Sequence, residues 1–168
     1  ELELFADIGL IGLPNAGKTS LLNTFTNADA KVGDYAFTTL DPNLGDFYGY
    51  IIADIPGLIE GASTGKGLGI KFLRHIERTR ILFHFIDAAA VDPLADYKVI
   101  RAELGAYSAG LLEKPEFIII SRTDNVDEKR LKEIIKSLKP LKREILPISV
   151  LDDASLADIK KLLNSITV

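Results

Sequence analysis

Apolar and polar positions along the chain follow two regimes. Six runs are apolar and rich in β-branched or aromatic residues: Leu4–Leu13, Gly45–Tyr48, Tyr50–Ile55, Ile81–Asp87, Phe117–Ser121 and Glu144–Ser149. Between most of them apolar residues recur every three or four positions, which predicts helices over Lys18–Thr26, Leu68–Thr79, Ala95–Leu111, Asp127–Leu138 and Ala154–Ile166. Strand alternating with helix implies βαβ units, and hence an α/β fold: a mainly parallel six-stranded sheet with helices on both faces. One interval departs from this. Gly49 alone separates Gly45–Tyr48 from Tyr50–Ile55, too little chain for a crossover, so this pair predicts one antiparallel edge hairpin.

In such sheets ligands lie beyond the carboxyl ends of the strands, in the loops that enter the helices. Those loops read GLPNAGKT, DIPGLIEGASTGKG, DAAAVDP, SRTDN and SVLDDAS. The first, Gly12-Leu13-Pro14-Asn15-Ala16-Gly17-Lys18-Thr19, fits GxxxxGK[ST] and stands between a strand and a helix. Glycines there let backbone N–H groups turn inward around phosphate oxygens, and the helix start adds its positive dipole end. Lys18 would neutralise the β- and γ-phosphates and the Thr19 hydroxyl would ligate Mg²⁺. An ordinary glycine turn is the competing reading, and the flanking strand and helix weigh against it.

A phosphate loop alone specifies a nucleoside triphosphate without saying which. Asp54 ends the third apolar run and opens Asp54-Ile55-Pro56-Gly57, so its carboxylate would hold Mg²⁺ through a water while the Gly57 N–H meets the γ-phosphate. A strand-end aspartate that only caps a turn is the alternative. Upstream, Thr38 or Thr39 would bring a second protein hydroxyl to Mg²⁺, or be β-branched residues entering a strand. In SRTD, the Asp124 carboxylate can accept paired hydrogen bonds from guanine, a donor pair that adenine lacks. Equally, Asp124 could cap the helix starting near Asp127.

Composition narrows the picture. A chain of 168 residues predicts one domain. With 20 Lys+Arg against 24 Asp+Glu the formal charge is −4, which gives no global electrostatic reason to expect nucleic-acid binding. No apolar run reaches the roughly 18 residues of a membrane span, and no leader pattern opens the chain, so a soluble protein without a membrane partner is expected. Cysteine is absent, which removes disulfides and thiolate metal sites and suits a reducing cytosol. Methionine is absent even from position 1, so the chain reads as a domain cut from something longer. The glycine-dense stretch Gly57–Gly69 is the best candidate for a mobile segment.

The runs GLPNAGKTSLLN, DYAFTTLDPNLG and ADIPGLIEGASTGKGLGIKFLRHIERTR, followed by ILFHFIDAA, closely resemble the GTPase domain of the Obg family of bacterial GTPases. The resemblance covers essentially the whole chain and is sharpest over residues 8 to 90. It implies a Ras-like P-loop NTPase fold, GTP binding with slow hydrolysis to GDP, and Mg²⁺ as cofactor, in a single GTPase domain over residues 1–168. The phosphate loop then falls on Gly12 to Thr19 with Ser20 beside it, and the first switch on Phe37, Thr38, Thr39, Leu40 and Asp41, with Thr39 the Mg²⁺ ligand. The second switch falls on Asp54, Ile55, Pro56 and Gly57, base recognition on Ser121, Arg122, Thr123 and Asp124, and the following loop on Ser149, Val150 and Leu151. Metal contacts are Thr19, Thr39 and, through water, Asp54; catalysis rests on Lys18, Thr39 and Gly57. Family members are cytoplasmic, associate with the large ribosomal subunit in its assembly and in stress response, and carry a glycine-rich N-terminal domain and often a C-terminal one. Neither flanking domain is in this sequence, and a monomer is expected.

Three departures matter. The family's Asn-Lys-x-Asp reads Ser121-Arg-Thr-Asp124 here. Ser121 cannot span what an asparagine amide spans, while Arg122 can lay its stem or guanidinium against the ring, so guanine selectivity should survive through Asp124 with lower affinity. Val150 replaces the usual alanine where a backbone N–H makes the contact, and Thr19 replaces a commoner serine while keeping the hydroxyl. Many small GTPases orient the attacking water with a glutamine after the DxxG glycine; Leu58 stands there, so unaided turnover should be slow. In related GTPases lacking that glutamine, an asparagine at the position of Asn15 ligates potassium, which makes Asn15 a candidate K⁺ ligand; its alternative role is to hold the loop turn. Arg74, Arg78 and Arg80 read mainly as solvated helix charges, and His84 as a packed strand residue; neither His84 nor His75 is assigned to catalysis. The competing functions are a nucleotide-binding module without hydrolysis, which Leu58 favours, and an ATPase, which SRTD disfavours.

Overall fold

The buried apolar runs pair into one seven-stranded sheet. In the computed structural model, which describes residues 6–12, 31–32, 43–47, 50–54, 77, 79–149 and 153–166, the strands are β1 (Ala6–Ile11), β2 (Lys31–Val32), β3 (Asn43–Phe47), β4 (Tyr50–Asp54), β5 (Thr79–Asp87), β6 (Glu116–Ser121) and β7 (Glu144–Pro147). Their spatial order is β2-β3-β4-β1-β5-β6-β7. β1 lies at the middle and pairs parallel with β4 and β5, and β6 and β7 continue the parallel ladder. β3 returns antiparallel to β4, with Phe47 opposite Tyr50, as the short Gly49 link requires. All six expected strands are present. The seventh, Lys31–Val32, pairs antiparallel with β3 and takes the outermost place expected for the hairpin; two residues are too few to leave a periodic trace in sequence.

The described helices are α1 (Pro93–Tyr107), α2 (Ala109–Leu112), α3 (Glu128–Leu138) and α4 (Asp153–Ile166). The expected helix over Lys18–Thr26 lies outside the described residues, as does that over Leu68–Thr79 except for helical Glu77 and for Thr79. Thr79 corrects the expected boundary: it opens β5 opposite Ala6 and is fully buried, because a β-branched residue packs well on a pleated surface. Arg80 is therefore a strand residue, 3.7 Å from Asp7, and not a helix charge. The expected single helix over Ala95–Leu111 is two. Pro93 supplies a fixed φ at the start of α1, and the Asp92 carboxylate accepts from the Ala95 N–H at 3.1 Å. Ser108 breaks the run with extended backbone, then accepts from the Gly110 N–H at 3.3 Å to open α2.

Alternation along the strands sends apolar residues to both faces. Ile81, Phe83 and Phe85 pack with Ile8, Leu10, Ile52 and Ile119 against Ile159 and Leu162 of α4. Ile86, Ile118 and Ile120 pack with Tyr97 of α1 and with Ile134 and Leu138 of α3. The parallel strands are thus covered on both sides, which is why ILFHFI reads as a continuous apolar run. Asp127 fixes the entry to α3 by accepting from the Arg130 N–H at 2.7 Å. Asp127→Ala should lower stability by about 1 kcal/mol in urea denaturation; an unchanged midpoint would remove this cap as a contributor.

Candidate functional site

Because β1, β4, β5, β6 and β7 are parallel, their carboxyl ends share one edge of the sheet, and the polar strand-end residues collect there. Leu10 is opposite Asp54, and Asp87 is opposite Ser121. β1 sits where the connections change direction, the position at which ligands bind in sheets of this kind. Directly after it Gly12 has φ 151°, a conformation that residues with a Cβ rarely adopt. Of the expected site, Leu13–Ser20, Phe37–Asp41, Ile55–Gly57 and 150–151 lie outside the described residues, as do Leu58, Arg74, His75 and Arg78.

In the far half of the edge the described residues run from β5 through β6 and β7 as far as Ser149. The β6–α3 segment crosses over β7: the Thr123 N–H and hydroxyl both donate to the Ile148 carbonyl, at 3.2 and 3.0 Å. To make this crossing Arg122 adopts left-handed backbone, φ 57° and ψ 41°, followed by a single 3₁₀ turn over Thr123–Asn125. A residue with a Cβ pays on the order of 1–2 kcal/mol for that conformation, so the surrounding bonds must hold it. Ser149 donates its hydroxyl to Asp124 Oδ1 at 2.8 Å, which aims an exposed carboxylate along the edge. Since Asp127 caps α3, Asp124 is not spent as the helix cap. Ser121 is buried and donates back to the Ile86 carbonyl at 3.4 Å.

Two groups at this edge were not singled out by sequence. Asp87 accepts from the Ala89 N–H at 2.9 Å through Oδ1 and from Arg122 at 3.2 Å through Oδ2. Arg130 of α3 donates to the Ala90 and Val91 carbonyls at 3.2 and 3.3 Å, fastening the loop after β5. The signal for Asp87 was a carboxylate ending a buried strand, as Asp54 does; Arg130 left none. Burial, then the carboxylates of Asp92 and Asp87, push the Asp96 carboxyl above its usual value, so the loop is locally acidic.

A buried polar cluster lies on the α1 face of the same strands. Glu116, its side chain inaccessible to solvent, accepts from the Tyr97 hydroxyl at 2.7 Å and from Arg101 at 3.2 Å. His84 Nδ1 is 3.4 Å from the same carboxylate, Arg143 is 3.8 Å from it, and the His84 ring stacks on Tyr97 at 4.7 Å. Burial would raise the Glu116 pKa, but the hydrogen bonds and charges of His84, Tyr97 and Arg101 bring it below the ordinary value. His84 is thus a packed strand residue, as its sequence context implies.

Among the described residues no group of three or more His, Cys, Asp or Glu could hold a metal, and no helix is long and apolar enough to cross a membrane. Asp54 ends β4 beside the end of β1, while the other two expected Mg²⁺ ligands, Thr19 and Thr39, lie outside the described residues; carboxylate and hydroxyl oxygens are the donor types that suit a hard cation.

A doubly covered, mainly parallel sheet whose first loop leaves β1 through Gly12 into GxxxxGK[ST] defines a nucleotide-binding α/β domain of the P-loop class. The family model described as 50S ribosome-binding GTPase matches residues 7–122. GTPase Obg of Pelagibacter ubique (strain HTCC1062) is 49% identical over 99% of this chain and 53% of its own length. GTPase Obg of Rhizorhabdus wittichii is 50% identical over 83% of this chain and 42% of its own. Solved structures with the same fold include an S. thermophilus NFeoB mutant bound to GDP, with TM-score 0.69, 23% identity, and 94% and 61% of the two chains covered. Era of Aquifex aeolicus bound to GDP.AlF4- gives 0.68, 20%, and 96% and 56%. The chain therefore belongs to this GTPase family, as a G domain of the Obg kind. It spans about half the length of the curated relatives it matches.

Proposed function

We propose that this chain binds Mg²⁺-GTP, hydrolyses it slowly to GDP, and works as a conformational switch in a cytoplasmic protein that associates with the large ribosomal subunit. The observation that carries the reading is the Asp124 carboxylate, held by Ser149 on the edge that the phosphate loop leaves, with α3 capped independently by Asp127. An aspartate so held accepts the guanine N1–H and exocyclic amine together, which adenine cannot offer. Lys18 and the N–H groups of Gly12–Thr19 would bind the phosphates. Thr19, Thr39 and a water on Asp54 would hold Mg²⁺, which draws charge from the phosphate oxygens. Thr39 and Gly57 would sense the γ-phosphate and be released by its loss, which is the switch. The ribosomal association is supported by the description of the matching family, 50S ribosome-binding GTPase.

Leu58 cannot orient water, so hydrolysis would need help, and Asn15 would be the ligand of a helping potassium ion. Single-turnover GTP hydrolysis should run faster in KCl than in NaCl at equal ionic strength, because a potassium ion at the phosphates adds transition-state charge stabilisation. Equal rates would remove the potassium role. No turnover in either salt, with GTP still bound, would favour the second reading, a nucleotide holder without hydrolysis.

A further inference from the structure

We propose that the ion pair Arg122–Asp87 positions the base-recognition loop by tying it to the carboxyl end of β5. The proposal rests on the guanine-binding reading above and adds to it a specific positioning pair. Ser121 is buried and donates its hydroxyl to the Ile86 carbonyl of the neighbouring strand. The residue after it, in left-handed backbone, sends its side chain across the carboxyl ends of β5 and β6 to Asp87 Oδ2 at 3.2 Å. The far end of that tether is itself fixed. Asp87 Oδ1 takes the Ala89 N–H, the Ala88 N–H donates to the Ser121 carbonyl at 2.9 Å, and Arg130 holds the next two carbonyls of the loop. Arg122 therefore pulls against a braced strand end, and the loop it steadies carries Asp124 two residues further on.

The pair is 43% exposed on the arginine and 20% on the aspartate, so salt must weaken it, and its effect on ligand affinity is bounded at about fivefold. A single N–H contacts the carboxylate, so a lysine can supply the same charge. Affinity for GDP is measured by calorimetry at low and high salt on the wild type, Arg122→Met, Asp87→Asn and the double variant, with melting temperature as the control for a merely structural role. Each single variant should lose about fivefold, and the double variant no more than either single one. Arg122→Lys should recover the wild-type value, the affinity gap between the wild type and the single variants should shrink at high salt, and the nucleotide-free melting temperatures should agree. Losses that multiply to about 25-fold in the double variant mean that the two residues act separately and overturn the proposal. So does a loss in Arg122→Met with none in Asp87→Asn, which assigns Arg122 to stacking on the base. In both outcomes guanine binding itself stands. A wild type with no preference for GDP over ADP overturns the guanine reading and this inference with it.

Discussion

Asp124→Asn should weaken GDP binding by about 100-fold, because each of two hydrogen bonds to a carboxylate is worth about 1.5–3 kcal/mol and an amide can accept only one of them while turning its NH₂ toward the other donor. The Ser149 hydroxyl donates to Asp124 Oδ1 and can still donate to the amide oxygen of asparagine, so the loop keeps its tie and the loss falls on the base. The same variant should gain on a xanthine nucleotide, whose second carbonyl replaces the exocyclic amine and meets the new donor. Competition binding with GDP, XDP and ADP reads both effects. An unchanged preference for guanine would remove Asp124 from base recognition. Loss of every nucleotide alike would point to a collapsed loop. The protein should otherwise remain folded, since Asp124 is exposed and α3 has its own cap.

Glu116→Ala should have the largest effect on stability. It strands the hydroxyl of Tyr97 and the ring nitrogen of His84, both buried, and removes the counter-charge of Arg101 and Arg143, which keep some access to water. Breaking a buried charged cluster from one side costs about 3 kcal/mol, which lowers the melting temperature of a chain of this size by about 6–12 °C. Glu116→Gln keeps the shape and an acceptor for Tyr97 and should lose less. The pH dependence has a fixed sign. The folded-state pKa of Glu116 lies below its unfolded value of 4.5, so its contribution is whole above pH 4.5 and is lost as pH falls through the lower folded value. Wild type and Glu116→Gln should therefore converge in stability on acidification; a constant gap down to low pH would contradict this. On the alkaline side burial, then the hydrogen bond to Glu116, holds the Tyr97 hydroxyl protonated up to about 12, and Glu116→Ala should release it to titrate earlier in ultraviolet absorbance.

Periodicity placed the strands because a parallel strand covered on both faces must be apolar throughout, as ILFHFI is, and it placed α3 and α4 because one stripe of each meets the sheet. It could not see the Ser108 break or Thr79 joining β5, since both depend on which backbone groups find partners. The GLPNAGKT and SRTD loops stand out in the sequence because a phosphate site and a base site would each demand particular residue types within a short span. Asp87, Arg130 and Glu116 were not, for their roles come from residues 30 to 40 positions away in the chain: Arg122 for Asp87, Ala90 and Val91 for Arg130, His84 for Glu116. The sequence by itself determined the layered α/β order, the nucleotide class and the candidate ligands, all of which follow from local pattern. Only the tertiary structure decided that Asp124 belongs to Ser149 and not to α3, that Ser121 turns inward, and that Arg122 reaches Asp87. Each of these is a choice of hydrogen-bond partner, and a partner is fixed only when distant strand ends are brought to the same edge.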